Sequence, residues 1–148
     1  MRISRRAAAA AAVSVAAAGC LAVSAPQAAA AAAYGGECGR GYGVVNSAPI
    51  GTKGTVFLTY NPSSGYNCVV TKRTTTGSTP VYMFSHLQVP QTGDWDEDSG
   101  TYYSYAGPVY AYGKGMCVDW AGGIANQSTW TYGSNCGSFA EHRVTKGW

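Results

Sequence analysis

Hydrophobic and polar residues alternate along most of the chain in short runs, the pattern of β-strands that bury one face. The clearest run is Val81–Val89, where aliphatic residues and the single polar Ser85 share one face and aromatic or polar residues share the other. No stretch repeats apolar residues at helical spacing over three turns. The pattern predicts strands at 42–46, 54–60, 66–74, 81–89, 101–105, 109–112, 116–121 and 128–132.

The composition agrees with this pattern. Val outnumbers Leu, and 11 Tyr and 4 Trp join many Thr, while 20 Gly divide the chain into short pieces. These residues favour strands and turns. Seven or eight short strands at this spacing predict one all-β domain, an antiparallel sandwich or a small barrel. The acidic stretch at 94–100 is interpreted as a loop.

The first 33 residues have the form of a secretory signal peptide. Arg2, Arg5 and Arg6 precede an apolar run at 7–23, and small residues follow. The run is at the short end of the length that spans a bilayer. Cys20 is either a lipid anchor or a residue lost with the signal peptide. We therefore expect a secreted, extracellular protein with its domain at 34–137 and a tail at 138–148.

The charge excludes two classes of partner. The chain carries a net charge of +3, which Arg2, Arg5 and Arg6 account for, so the remainder is close to neutral. Nucleic-acid binding needs a basic stripe that neutralises several phosphates, and a polybasic membrane surface needs a similar cluster. We expect neither nucleic acid nor membrane as a partner.

Four cysteines, Cys38, Cys68, Cys117 and Cys136, follow the signal peptide. An even number in an exported chain indicates two disulfides. Three pairings are compatible with the spacing, and we expect the local one, which joins Cys38 to Cys68 and Cys117 to Cys136. The second bridge closes a loop of about 20 residues, worth roughly 3 kcal/mol in the chain-entropy model.

Motifs for catalysis are weak. His86 lies in a predicted strand and His142 lies in the tail, and neither accompanies a Gly-x-Ser-x-Gly elbow. Disulfide pairing would also remove the thiolate nucleophiles. We predict no catalytic residue, no cofactor and no zinc site. The alternative is a secreted hydrolase that uses the acidic segment, with Asp119 or a histidine.

The acidic segment offers a weak calcium candidate. Asp94, Asp96 and Asp98 occupy alternate positions, as oxygen ligands do in calcium loops. An EF-hand loop that began at Asp94 would require Gly and Glu where Ser99 and Tyr105 stand. A solvated acidic turn explains the same residues without a metal.

Aromatic residues form the candidate binding surface. Tyr110 and Tyr112 share one strand face, opposite Val109 and Ala111, so the tyrosines are expected to be exposed. Such a row suits sugar stacking or protein binding, whereas cross-strand pairing would only stabilise the sheet. Trp120, which follows Cys117, also fits a disulfide-anchored core. The candidate surface consists of Tyr103, Tyr105, Tyr110, Tyr112, Trp120 and Trp130.

An ordered set of short segments runs along the chain. The set consists of Cys38-Gly39-Arg40-Gly41-Tyr42, Gly54-Thr55-Val56-Phe57-Leu58, Asn67-Cys68-Val69-Val70, Asp98-Ser99-Gly100, Tyr105-Ala106-Gly107-Pro108-Val109, Cys117-Val118-Asp119-Trp120 and Cys136-Gly137. This set resembles the spore-associated protein A family of filamentous actinobacteria. Two features depart from the family: the tail at 138–148 extends past its usual end, and residues 81–87 are unusually aromatic.

The resemblance implies a small secreted protein found with spores or aerial growth, without known activity, cofactor or catalytic residue. The expected function is therefore non-catalytic and structural or binding, at the spore surface or cell surface. The expected partner is a spore or cell-wall surface, with a glycan or another secreted protein as the molecule bound there. Alternatives are a carbohydrate-binding module, a small secreted protease inhibitor or the hydrolase described above.

Overall fold

A computed structural model describes residues 31–137 and contains eight strands in that range. No helix in the same range is long and apolar enough to cross a membrane. The strands are β1 (Gly43–Ile50), β2 (Gly54–Asn61), β3 (Tyr66–Arg73), β4 (Val81–Val89), β5 (Asp94–Tyr102), β6 (Tyr105–Tyr112), β7 (Val118–Ile124) and β8 (Gln127–Ser134).

The strands form two four-stranded sheets, and all neighbouring strands pair antiparallel. The first sheet has the order β1-β2-β3-β6 and the second has the order β5-β4-β7-β8. The inward residues of both sheets pack into one core, which includes Leu58, Val69, Met83, Leu87 and Trp120. The predicted antiparallel all-β sandwich is therefore confirmed.

The alternation predicted for β4 is also confirmed. Met83, Ser85, Leu87 and Val89 are buried, whereas their neighbours on the strand are more exposed. The buried Ser85 hydroxyl donates to the Ala106 carbonyl at 3.0 Å and lies 3.0 Å from the Thr71 hydroxyl. This polar residue is tolerated in the core because its hydrogen bonds replace those with water.

The acidic segment is a strand, so its interpretation as a loop is wrong. β5 pairs with β4 from Asp94 opposite Val89 to Tyr102 opposite Val81. The chain turns tightly before it, with Gly93 at a φ of 76°, where a side chain is disfavoured. The predicted strand at 101–105 is divided because the chain turns between Tyr102 and Tyr105.

Both expected disulfides are present, Cys38–Cys68 and Cys117–Cys136. The first attaches residues 34–42, here the N-terminal segment, to β3. The second joins the start of β7 to the end of β8. The signal-peptide prediction falls almost wholly on residues outside the described range, and so do Cys20, His142 and the tail at 138–148.

Candidate functional site

The six residues of the predicted surface lie in different parts of the sandwich. Trp120 is only 1% exposed and belongs to the core, so its place in a binding surface is wrong. Tyr105, Tyr110 and Tyr112 are on the outer side of the first sheet, and Tyr103 is in the turn between β5 and β6. Trp130 is on the outer side of the second sheet. The structure therefore does not bring these residues together.

Two of the first-sheet tyrosines, Tyr110 and Tyr112, each pack against another tyrosine ring. Tyr112 lies opposite Tyr66, with ring centroids 5.6 Å apart in an edge-to-face arrangement. Tyr110 makes a similar contact with Tyr42 at 5.7 Å, and its hydroxyl donates to the Cys38 carbonyl at 3.1 Å. Burial, with the nearby Tyr42 and Tyr34 phenols, raises the pKa of Tyr110. These contacts favour the interpretation as stabilising aromatic pairs.

The N-terminal segment covers much of this outer side. Tyr34 packs on Phe57 with ring centroids 5.9 Å apart. Glu37 forms an ion pair with Lys72 of β3. Burial by itself raises the pKa of Glu37, but the hydrogen bonds from Lys72 and backbone amides outweigh it, so the pKa lies below its ordinary value. The outer side of the first sheet is thus partly a second, small core.

The outer side of the second sheet carries a contiguous group of rings, here called the aromatic face. Ring centroids are 6.3 Å apart between Trp95 and His86, 5.4 Å between His86 and Trp130, and 6.5 Å between Trp130 and Tyr132. Phe84 lies 6.0 Å from Trp130. The aromatic face consists of Phe84, His86, Trp95, Trp130 and Tyr132, together with Tyr82, which is exposed on the same outer side of β4.

Small residues in β7 allow these rings to meet. The register places Ala121 between His86 of β4 and Trp130 of β8, and places Gly123 beside Phe84. A Cβ atom on Gly123 would lie 2.1 Å from the Phe84 ring. The rings therefore cross over β7 at Ala121 and Gly123, two outward residues with almost no side chain.

The aromatic face is open to solvent. The exposed fractions are 61% for Trp95, 48% for Trp130 and 70% for Tyr132. Isolated exposed aromatics are ordinary, but a contiguous group on one sheet marks a candidate interaction surface. The paired strands of the second sheet and the Cys117–Cys136 disulfide hold this group on a rigid support.

The charged groups beside the aromatic face are the carboxylates of Glu97 and Asp119. Glu97 Oε2 lies 3.2 Å from His86 Nδ1, and Asp119 Oδ1 accepts a hydrogen bond from the Gly133 amide at 2.8 Å. The outward positions of the four second-sheet strands, all of them described, carry no Lys or Arg. The surface thus combines rings with hydrogen-bond acceptors and lacks a fixed positive charge.

Asp94, Asp96 and Asp98, here the aspartate row, bind backbone amides of β6, an edge strand of the first sheet. Asp96 Oδ2 accepts from Tyr110 N at 2.9 Å, Asp98 Oδ2 accepts from Gly107 N at 2.6 Å, and Asp94 Oδ2 lies 3.4 Å from Tyr112 N. The carboxylates therefore accept the hydrogen bonds of β6 edge amides, as the carbonyl groups of a neighbouring strand would.

This arrangement differs from the calcium interpretation, which required a loop. Alternate residues of a strand are about 6.7 Å apart, whereas Ca²⁺ takes oxygens at about 2.4 Å from the ion. Asp98 Oδ1 also accepts from the Tyr102 hydroxyl at 2.6 Å, which raises the pKa of Tyr102. Within residues 31–137 no group of three or more His, Cys, Asp or Glu is placed to hold a metal ion.

A cavity of about 340 Å³ lies at one end of the sandwich, between the first residues of β4 and the turn after β7. Lys53 and Arg73 contribute to its wall. The Arg73 guanidinium donates to the carbonyls of Thr79 and Tyr103, at 3.1 and 2.9 Å. Arg73 therefore holds two chain segments together, and the cavity is secondary to the aromatic face.

Sequence reasoning missed most of the aromatic face. Of its members, only Trp130 belonged to the predicted surface. The alternation of β4 already placed Tyr82, Phe84 and His86 on one side. The same alternation also runs through residues 94–102, where it places Trp95 and Glu97 outward and the aspartate row inward. The acidic composition of this segment instead suggested a loop.

Comparison with known proteins identifies the family of the chain. It is 52% identical over 133 residues to spore-associated protein A from Streptomyces coelicolor, covering 86% of each chain. No family model and no solved structure matches the chain. Identity of this extent over most of both chains confirms the resemblance noted in the sequence: the chain belongs to the spore-associated protein A family.

Proposed function

We propose that the protein is a secreted, non-catalytic component of the spore or cell surface and that it attaches through the aromatic face. The name of the Streptomyces relative supports the location. The observation that carries the attachment is the contiguous group of exposed rings, with Trp95, Trp130 and Tyr132 at least about half exposed. Broad, rigid rings bind at little cost in side-chain entropy.

Two features support an extracellular location. Disulfides form and persist outside the cytoplasm, and the domain contains two of them. The basic and apolar start of the sequence has the form of a secretory signal. Such cross-links also stabilise a protein that remains on an extracellular surface, because they restrict the unfolded chain.

The environment of the candidate catalytic residues supports a non-catalytic protein. His86 is placed among aromatic rings, with Glu97 as the partner of Nδ1, and within residues 31–137 it forms no hydrogen bond with a hydroxyl or thiol. Asp119 accepts a backbone hydrogen bond. The four cysteines of the described domain are oxidised in pairs.

Fractionation of the producing culture tests the location. Spores, cell wall and medium are separated, and the protein is measured in each with an antibody. We expect the protein in the spore or wall fraction. Recovery only as a free protein in the medium would contradict surface association. Recovery in a stoichiometric complex with a secreted protease would also contradict it and would favour the inhibitor alternative.

A second experiment tests the aromatic face. Purified protein is incubated with spores, and the retained fraction is compared for wild type and for the double variant Trp95→Ala with Trp130→Ala. The matched control is Tyr103→Ala with Tyr112→Ala, which removes exposed rings elsewhere. We expect the first double variant to lose retention by about tenfold and the control to keep it. Equal retention of all three proteins would overturn this attachment.

A further inference from the structure

We infer that the aromatic face binds an uncharged, β-linked polysaccharide of the chitin or cellulose type. This inference rests on the proposed attachment and names its ligand. In such polymers the ring substituents are equatorial, so each sugar presents an apolar face of C–H groups and a rim of hydroxyls. The protein surface that fits this chemistry combines aromatic rings with hydrogen-bonding groups.

The aromatic face has both parts. Trp95 of β5 and Trp130 of β8 supply exposed ring surface on either side of His86 across the second sheet, and Tyr132 extends this surface along β8. Trp95 is on β5, which is the edge strand of its sheet within residues 31–137. Glu97 and Gln88 flank the rings in the β4–β5 register and offer groups that hydrogen-bond to hydroxyls.

The charges favour an uncharged ligand over an anionic one. The outward positions of β4, β5, β7 and β8 carry the carboxylates of Glu97 and Asp119 and no Lys or Arg. A phosphate- or carboxylate-bearing polymer would meet like charge here and would find no guanidinium or ammonium partner. A neutral sugar chain meets no such penalty.

The composition also favours a glycan over a protein partner. The centres of protein interfaces are enriched in Arg and Met as well as in aromatic residues. The outward positions of the second-sheet strands carry aromatic, small and polar residues, without Arg, Met, Leu or Ile. Their hydrogen-bonding groups, such as Gln88, Glu97 and Ser99, suit the many hydroxyls of a glycan better than an inserted apolar side chain of a protein partner.

The ring positions are set before binding. Gly123 leaves room for the Phe84 ring, and Ala121 leaves room for the contact between His86 and Trp130. Gly123 is on β7 and Trp130 is on β8. The Cys117–Cys136 disulfide joins the start of β7 to the end of β8. A prearranged surface loses less conformational entropy when it binds.

A retention assay tests the inference. The purified protein is mixed with chitin, cellulose or immobilised polygalacturonate, an anionic glycan, in about 0.05 M and about 1 M NaCl. We expect retention on chitin or cellulose at both salt concentrations and no retention on polygalacturonate. The Trp95→Ala, Trp130→Ala variant should bind at least about tenfold more weakly, and the Tyr103→Ala, Tyr112→Ala control should bind as wild type.

Solution measurements separate ligand binding from loss of fold. Soluble chitin and cellulose oligosaccharides should change the tryptophan fluorescence of wild type and of the control but not that of the Trp95→Ala, Trp130→Ala variant. Near-ultraviolet circular dichroism should show that the variant retains its buried Trp120 environment. A variant that keeps its fold and still binds the oligosaccharides would overturn the inference.

Other outcomes identify what has failed. If spores retain the protein through the aromatic face but neither glycan does, the ligand inference is wrong and the proposed attachment stands. Retention only at low salt, or retention abolished by protease treatment of the spores, would indicate a charged or protein partner and also overturn the inference. Spore retention that does not depend on Trp95 and Trp130 would overturn the attachment itself.

Discussion

At the scale of single residues, Gly122 and Gly123 show how one strand serves two surfaces. A Cβ on Gly122 would point into the core and lie 2.2 Å from the Thr71 hydroxyl and 2.7 Å from Val56 Cβ. A Cβ on Gly123 would point outward and meet only the Phe84 ring. The missing side chain of Gly122 allows the two sheets to pack closely. The missing side chain of Gly123 leaves room for the Phe84 ring in the aromatic face.

This difference predicts different effects for two alanine variants. Gly122→Ala should lower the free energy of unfolding by about 1–3 kcal/mol, because packed core atoms must move. Gly123→Ala should lower it less, because the Phe84 ring can turn toward solvent, but it should weaken retention on the ligand surface. Urea unfolding and the retention assay measure the two effects. A Gly123→Ala protein with unchanged retention would show that the position of Phe84 is unimportant for binding.

At the scale of elements, the aspartate row of β5 joins the two sheets at one side of the sandwich. Asp98 accepts hydrogen bonds from both Tyr102 and Gly107, Asp96 accepts one from Tyr110, and Asp94 makes the longest contact. Hydrogen bonds to a charged group contribute about 1.5–3 kcal/mol each when partly buried. The side chains thus replace strand pairing between β5 and β6.

The aspartate row predicts a ranked loss of stability. Replacement of Asp98 by Ala should lower the free energy of unfolding most, by about 2–3 kcal/mol, followed by Asp96→Ala and then the exposed Asp94→Ala. Urea unfolding of the three variants gives the order. Ca²⁺ should not raise the Tm of the wild-type protein, because strand spacing separates the carboxylates. A rise in Tm that depends on all three aspartates would restore the calcium interpretation.

The β4–β5 hairpin also shows what the sequence could and could not predict. The alternation in β4 gave its buried face, including Ser85, because each inward residue fills space between the sheets. β5 was missed because its inward positions carry Asp instead of Val or Leu. Only the structure shows that edge amides of β6 satisfy those carboxylates. Similarly, the sequence makes both Trp120 and Trp130 candidates for the binding surface, although Trp120 also fits a disulfide-anchored core, and the register assigns them to opposite faces.

At the scale of the whole molecule, each disulfide supports a different sheet. Cys38–Cys68 holds the N-terminal segment on the first sheet, and Cys117–Cys136 joins the outer ends of β7 and β8 in the second. The sequence separations are 30 and 19 residues. The chain-entropy model gives roughly 3–4 kcal/mol of stabilisation for each bridge. The two bridges therefore contribute similarly to the stability of the fold but act at different places.

This separation predicts that the two disulfides differ in their effect on binding. Replacement of both cysteines by serine at either bridge should lower the Tm by a similar amount, as measured by circular dichroism. Below those Tm values, loss of Cys38–Cys68 should leave retention through the aromatic face intact, because the N-terminal segment covers the opposite sheet. Loss of Cys117–Cys136 should weaken retention, because β8 carries Trp130 and Tyr132. Equal weakening by both pairs would mean that the sheets do not act independently and that the sandwich supports the aromatic face only as a unit.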